Sequence, residues 1–180
     1  MTRPDSLRQK ATAIHEAGHA VVAISHELPI TSLTIQPGED DRGRVVYPAV
    51  PDYVSDENHP EFSYDKERNY MEAHALSSFA GSIAEFEYYR TIGKPKPAQW
   101  IGDNSGAQED RDQAYKWVTR LIASEEELQP YTDWLFVRAK TRVTLYWEPI
   151  QAVQEALLQQ ITLTGEDVKK VIRQAISLIS

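Results

Sequence analysis

Apolar and small residues recur at helical spacing near the start of the chain. Leu7, Ala11, Ile14, Gly18, Val21 and Ser25 follow one another by three or four positions and so share one face. The pattern predicts a helix over about 6–27, opened by Ser6 and Gln9 as a capping box and stopped by Pro29. Two β-branched runs follow, Ile30–Ile35 and Arg44–Tyr47, separated by the turn-forming stretch Pro37–Gly43; they predict a small hairpin. Residues 48–63, with three prolines and no sustained period, read as a surface loop. Met71, Ala75, Phe79, Ile83 and Phe86 mark a second helix over about 64–91. Its Ala73, Ser77, Ala80, Gly81 and Ala84 would let another helix approach closely, so it reads as a central packing helix.

Gly93, Pro95 and Pro97 end that helix, and Ser105 with Gln108 predicts the cap of a third helix over about 105–123. Ser124–Pro130 reads as an acidic connection. Beyond it, Leu135, Ala139, Val143, Tyr146, Ile150, Val153, Leu157 and Ile161 predict one long helix kinked at Pro149. Thr164 caps a last amphipathic helix carrying Val168, Val171, Ile172, Ala175 and Ile179, with Glu166 and Asp167 in its first turn. The fold class expected is mainly α with a small β-hairpin, in one domain over 1–180. The four tryptophans, at 100, 117, 134 and 147, read as core or interface packing.

A chain of 180 residues, 41% hydrophobic, buries roughly 70% of its unfolded surface and needs no metal merely to hold a core. A metal site must therefore be argued from chemistry. The formal charge of −8, with basic residues dispersed, argues against nucleic acid and anionic membranes as partners. The absence of cysteine removes thiolate ligands and thiol nucleophiles, leaving His, Asp and Glu to hold any metal. No signal peptide, membrane-spanning run or nucleotide-binding P-loop is apparent, so a cytoplasmic location without a membrane span is the expectation.

Within the first helix lies His15-Glu16-Ala17-Gly18-His19. Residues four apart stand one above the other on a helix, so His15 and His19 can reach one ion. Glu16, rotated about 100° from His15, can reach a water on that ion without ligating it. Two imidazoles beside a carboxylate on an apolar segment are costly unless something satisfies them, and a divalent cation does so. Zinc suits such a donor set. The third ligand is not fixed by this motif. A continuation through glycine at 22 and histidine at 25 is absent, since Val22 and Ser25 stand there. His26 lies roughly 10 Å beyond His19 along a straight helix, too far to share the ion. Glu39 stands at a usable spacing but in a Pro-Gly turn that would not fix its rotamer. His74 joins only if its helix faces the site, and His59 is a loop residue.

The first motif, together with Ala80-Gly81-Ser82-Ile83-Ala84-Glu85 and Ser105-Gly106-Ala107-Gln108-Glu109-Asp110, resembles the zinc peptidase domain of the FtsH family of AAA proteases. Leu163–Val168 is similar to the start of that domain's closing helix, so the resemblance covers nearly the whole chain. It implies a helical zincin-like peptidase domain, standing without the ATPase module and membrane segments of the family. One Zn2+ would be held by His15, His19 and an aspartate early in a later helix, which the motif places at Asp110. Glu109 and Asp112 are register alternatives, and Glu85 is a further candidate ligand or a group orienting an imidazole. Glu16 would be the general base of a metalloendopeptidase. The hairpin edge at Val45 and Val46 would pair with an extended polypeptide substrate. A separate ATPase or unfoldase as partner, and a homo-oligomer, are also implied.

Overall fold

The computed structural model describes residues 6–36, 43–94 and 105–178. It is mainly helical with a small antiparallel sheet, in the order α1 (Leu7–Ser25), β1 (Ser32–Thr34), β2 (Arg44–Val46), α2 (Asp52–Ser55), α3 (Tyr64–Thr91), α4 (Ser105–Val118), α5 (Glu125–Leu145), α6 (Trp147–Gln160), β3 (Thr162–Thr164) and α7 (Gly165–Ser177).

Helix α1 is the innermost element. Ser6 opens it by accepting the Gln9 amide at 3.1 Å. From Ala11 to Ala23 nearly every residue is buried, because α3 packs along one side and α6 along another. The small residues expected on α3 serve that approach: a Cβ on Gly18 would lie 2.7 Å from both the Ala80 carbonyl oxygen and the Ala84 Cβ. Larger side chains at this crossing would push the two helices apart. Helices α4 and α5 cover other faces of α3, and α7 packs on α6. One continuous cluster of buried side chains joins Ile14, Leu33, Leu76, Leu135, Ile150 and Leu163.

The hairpin forms as expected, with Leu33 opposite Val45, and it gains a third strand. Leu33 also pairs with Leu163, so β1 is central and β2 and β3 are the sheet edges. The strand β3 has only three residues, squeezed between two helices with Ile161 alone as connection, so the helical period runs straight over it. The Thr164 cap is complete, its side chain and Asp167 exchanging bonds with each other's backbone.

Three local expectations change. The acidic stretch from Glu125 is the opening of α5, where three glutamates favour the helix dipole; Pro130, its sixth residue, lies inside the helix and removes the N–H that would bond the Glu126 carbonyl. The long kinked helix is two helices, broken at Tyr146; Pro149 is the third residue of α6, where no intrahelical N–H bond is needed. The loop over 48–63 contains the single turn α2, anchored by buried Val54. Gln108 bonds Asp112 at 2.8 Å, and the side chain of Ser105, the other half of the predicted cap, lies outside the described residues. Trp117 and Trp147 pack against the core, whereas Trp134 is 47% exposed and Trp100 lies outside the described residues.

Candidate metal centre

His15 and His19 project from the middle of α1, one turn apart, with their rings edge to face at 4.7 Å. Opposite them stands Asp110 of α4. The buried Ala114 and Val118, one and two turns farther along that helix, turn the face bearing Asp110 inward. Glu109 and Asp112 are exposed on other faces, so they do not join. The His15 and His19 Nε2 atoms are 3.0 Å apart, and each lies 3.3 Å from a different oxygen of Asp110. Among the described residues, these three form the group of His and acidic side chains able to hold a metal ion.

The imidazole tautomers follow from their other contacts. His19 Nδ1 donates to the Ser77 carbonyl oxygen at 2.7 Å, and His15 Nδ1 donates to Glu85 Oε2 at 3.3 Å. In the neutral rings both Nε2 lone pairs are therefore turned toward each other and toward a carboxylate. Three electron-rich donors 3.0–3.3 Å apart repel unless something positive lies among them. Tetrahedral zinc with bonds of about 2.0–2.1 Å would hold its ligand atoms roughly 3.3 Å from one another, so the donor set fits that ion. Asp110 Oδ2 is buried and accepts no hydrogen bond, as expected of an oxygen reserved for a cation.

The electrostatics express the same demand for positive charge. Burial alone would lower the His19 pKa, yet the Asp110 carboxylate outweighs it and raises the ring to about 9. His15 is also raised, burial being outweighed by Glu85 and Asp110. Asp110 is lowered: burial opposes its charge, but the two imidazoles dominate.

Glu85 contacts Nδ1 of His15, the ring nitrogen turned away from Asp110, and so orients that imidazole from outside the three-residue group. Ser77, fully buried on α3, is a group that motif reading passed over. Its carbonyl receives His19 Nδ1 while its hydroxyl donates to the His19 carbonyl at 2.9 Å. With that proton spent, Tyr47 donates to Ser77 Oγ at 2.7 Å. Burial pushes the Tyr47 phenol up, keeping its proton in place. The only signal in the sequence was Ser77 among the small residues of α3, which explains it equally well as packing.

Gly81 lets the His19 ring lie flat on α3, since a Cβ there would meet Nε2 at 2.3 Å. Glu16 is buried, and the backbone just before β2 lies against its carboxylate: a Cβ on Gly43 would come 2.8 Å from Oε1. Val45 and Val46 follow on that edge strand, half-buried.

The other histidines stay apart. His26 ends α1, and His59 accepts the Glu61 amide in the loop. His74 is buried under Trp117, its ring stacked at 4.1 Å, with Tyr47 and Tyr70 alongside. Glu39 lies outside the described residues. No helix among the described residues is long and apolar enough to cross a membrane. No protein-family model matches the chain.

Proposed function

We propose that this chain is a zinc-dependent metalloendopeptidase, with a zincin-like arrangement similar to the peptidase domain of the FtsH family. The observation that carries the reading is the convergence of His15, His19 and Asp110, delivered by two helices 91 positions apart at their nearest ligands, with both tautomers set for an ion. Zinc, when bound there, supplies Lewis acidity that activates water and polarises a peptide carbonyl. Glu16, adjacent in sequence to a ligand and buried, takes a proton from the attacking water and returns it to the leaving amine. Holding zinc needs no Glu16, so its burial beside the cluster favours catalysis over a metal that only binds.

The backbone before β2 touches Glu16, and β2 is a sheet edge. An extended polypeptide pairing with Val45 and Val46 would run past the general base, with main-chain bonds giving affinity that tolerates many sequences. On this reading the substrates are chains already extended, or delivered by an ATPase.

The test is Glu16→Gln. It should keep zinc at one ion per chain and lose cleavage of casein by at least a hundredfold, the scale of a lost general base. Wild-type cleavage should stop with chelator and return with zinc. Undiminished cleavage by the variant, or wild-type protein that binds no zinc, overturns the proposal.

A further inference from the structure

One stripe along α5 carries exposed apolar side chains, among which the Trp134 ring has the Arg138 guanidinium of its own helix 4.6 Å above it. The buried side of α5, Leu128, Leu135, Ala139 and Val143, packs on the core. On another side Pro130, Trp134, Val137 and Thr141 succeed one another by four, three and four residues, and all are exposed. Trp134 is 47% and Val137 59% exposed, and Leu145, 63% exposed, lies beside the end of the stripe. That spacing is the seam of a two-helix coiled coil, narrower than the broad apolar face that packs a helix on a core.

The charges of α5 are segregated along the helix: Glu125, Glu126, Glu127 and Asp133 occupy its first half, and Lys140, Arg142 and Arg138, the last 3.7 Å from Glu72, its second. A helix with an acidic start and a basic end is complementary to itself reversed. We propose that this face is a two-fold interface on which a second copy of the chain seats its own α5, antiparallel.

The pattern fixes the register. With Trp134 of each copy against Val137 of the other, Thr141 meets Pro130, and Asp133 falls opposite Lys140 on both sides of the axis. Parallel pairing would instead stack acid on acid and base on base. The antiparallel arrangement also sets opposed helix dipoles side by side. The same stripe would accept another amphipathic helix, but that partner would need this charge order and seam at once, and the chain already carries both.

Sedimentation velocity on the full chain, from about 1 to 300 µM, reads the association directly. The wild type should pass from monomer to dimer. Lys140→Asp places two acids across each seam flank and should raise the dimer dissociation constant at least tenfold, while Asp133→Lys with Lys140→Asp restores the pairing and the affinity. Val137→Arg, at an exposed position, should leave a folded monomer by circular dichroism. A wild type that stays monomeric throughout, a dimer indifferent to Lys140→Asp, or a double variant no tighter than the single one each overturns the proposal.

Discussion

Two buried histidines on either side of Tyr47 have opposite chemistry. His19 is 9% exposed and His74 is 5% exposed, and both rings lie among aromatic or imidazole neighbours. Yet His19 is raised to about 9 and His74 is lowered to about 4. Burial pulls both downward. The difference is Asp110, whose carboxylate lies 3.3 Å from His19 Nε2, whereas His74 Nε2 is buried without a hydrogen-bond partner among the rings of Tyr47, Tyr70 and Trp117. A buried imidazole thus becomes a charged group or an apolar packing group according to what charge is brought to it. Here that charge comes from a helix distant in sequence.

Removing the carboxylate is the strongest way to break the contrast. Asp110→Asn keeps the side-chain shape and removes the charge, leaving His19 with burial and the Ser77 contact. Zinc affinity should fall more than a hundredfold and casein cleavage with it, exceeding the range typical of groups that only orient ligands. In chelated protein, NMR titration should show the His19 pKa well below its wild-type position. A variant that binds zinc as the wild type does would show that Asp110 is not a ligand.

A smaller effect is expected one layer out. Ser77→Ala leaves the carbonyl that accepts from His19 Nδ1 but deletes the hydroxyl that fastens the His19 carbonyl and receives Tyr47. The imidazole keeps its tautomer and loses part of its anchorage. Zinc affinity should drop roughly tenfold, toward the low end for outer contacts. Tyr47→Phe should produce a smaller loss of the same kind, because it removes only the outer member of the chain. Competition with a metallochromic chelator measures both, and equal affinities in all three proteins would leave Ser77 as packing alone.

How far the sequence spoke follows the same division. His15, Glu16 and His19 are legible because one helical turn puts them together, and the period of Leu7 to Ser25 declares that turn. Asp110 required a resemblance, since nothing local tells which face of α4 meets α1 across so many residues. Ser77 contributes a backbone oxygen, which no residue type signals. The motif leaves Glu85 open between ligand and orienting group, because only the packing of α3 on α1 puts its oxygen on His15 Nδ1, away from Asp110. The failures in the fold are also nonlocal. Strand β3 exists because Leu163 pairs with Leu33, and the break at Tyr146 precedes Pro149 because a proline in the first turn of a helix forfeits no bond. Trp134 shows the converse, a residue whose type suggests burial but which is 47% exposed, with only one face of its ring under Arg138.

The apolar half of the comparison is tested through stability rather than zinc. Folding holds His74 neutral with a pKa near 4, while the unfolded chain takes up that proton near 6.5. Below 6.5 the unfolded state therefore binds more protons. The contribution of a neutral buried ring is complete above pH 6.5 and is lost as the pH falls toward 4. Between pH 7 and pH 4.5 the loss from this one group should be roughly 2 kcal/mol. His74→Phe fills similar space, keeps the stack on Trp117 and cannot titrate. Urea unfolding of chelated wild type and variant at both pH values isolates the term, because the changes at His15, His19 and Asp110 are common to the two proteins. The variant should lose less stability on acidification by that amount. Equal losses would mean that His74 already reaches solvent or an acid when folded, and the contrast with His19 would then rest on something other than Asp110.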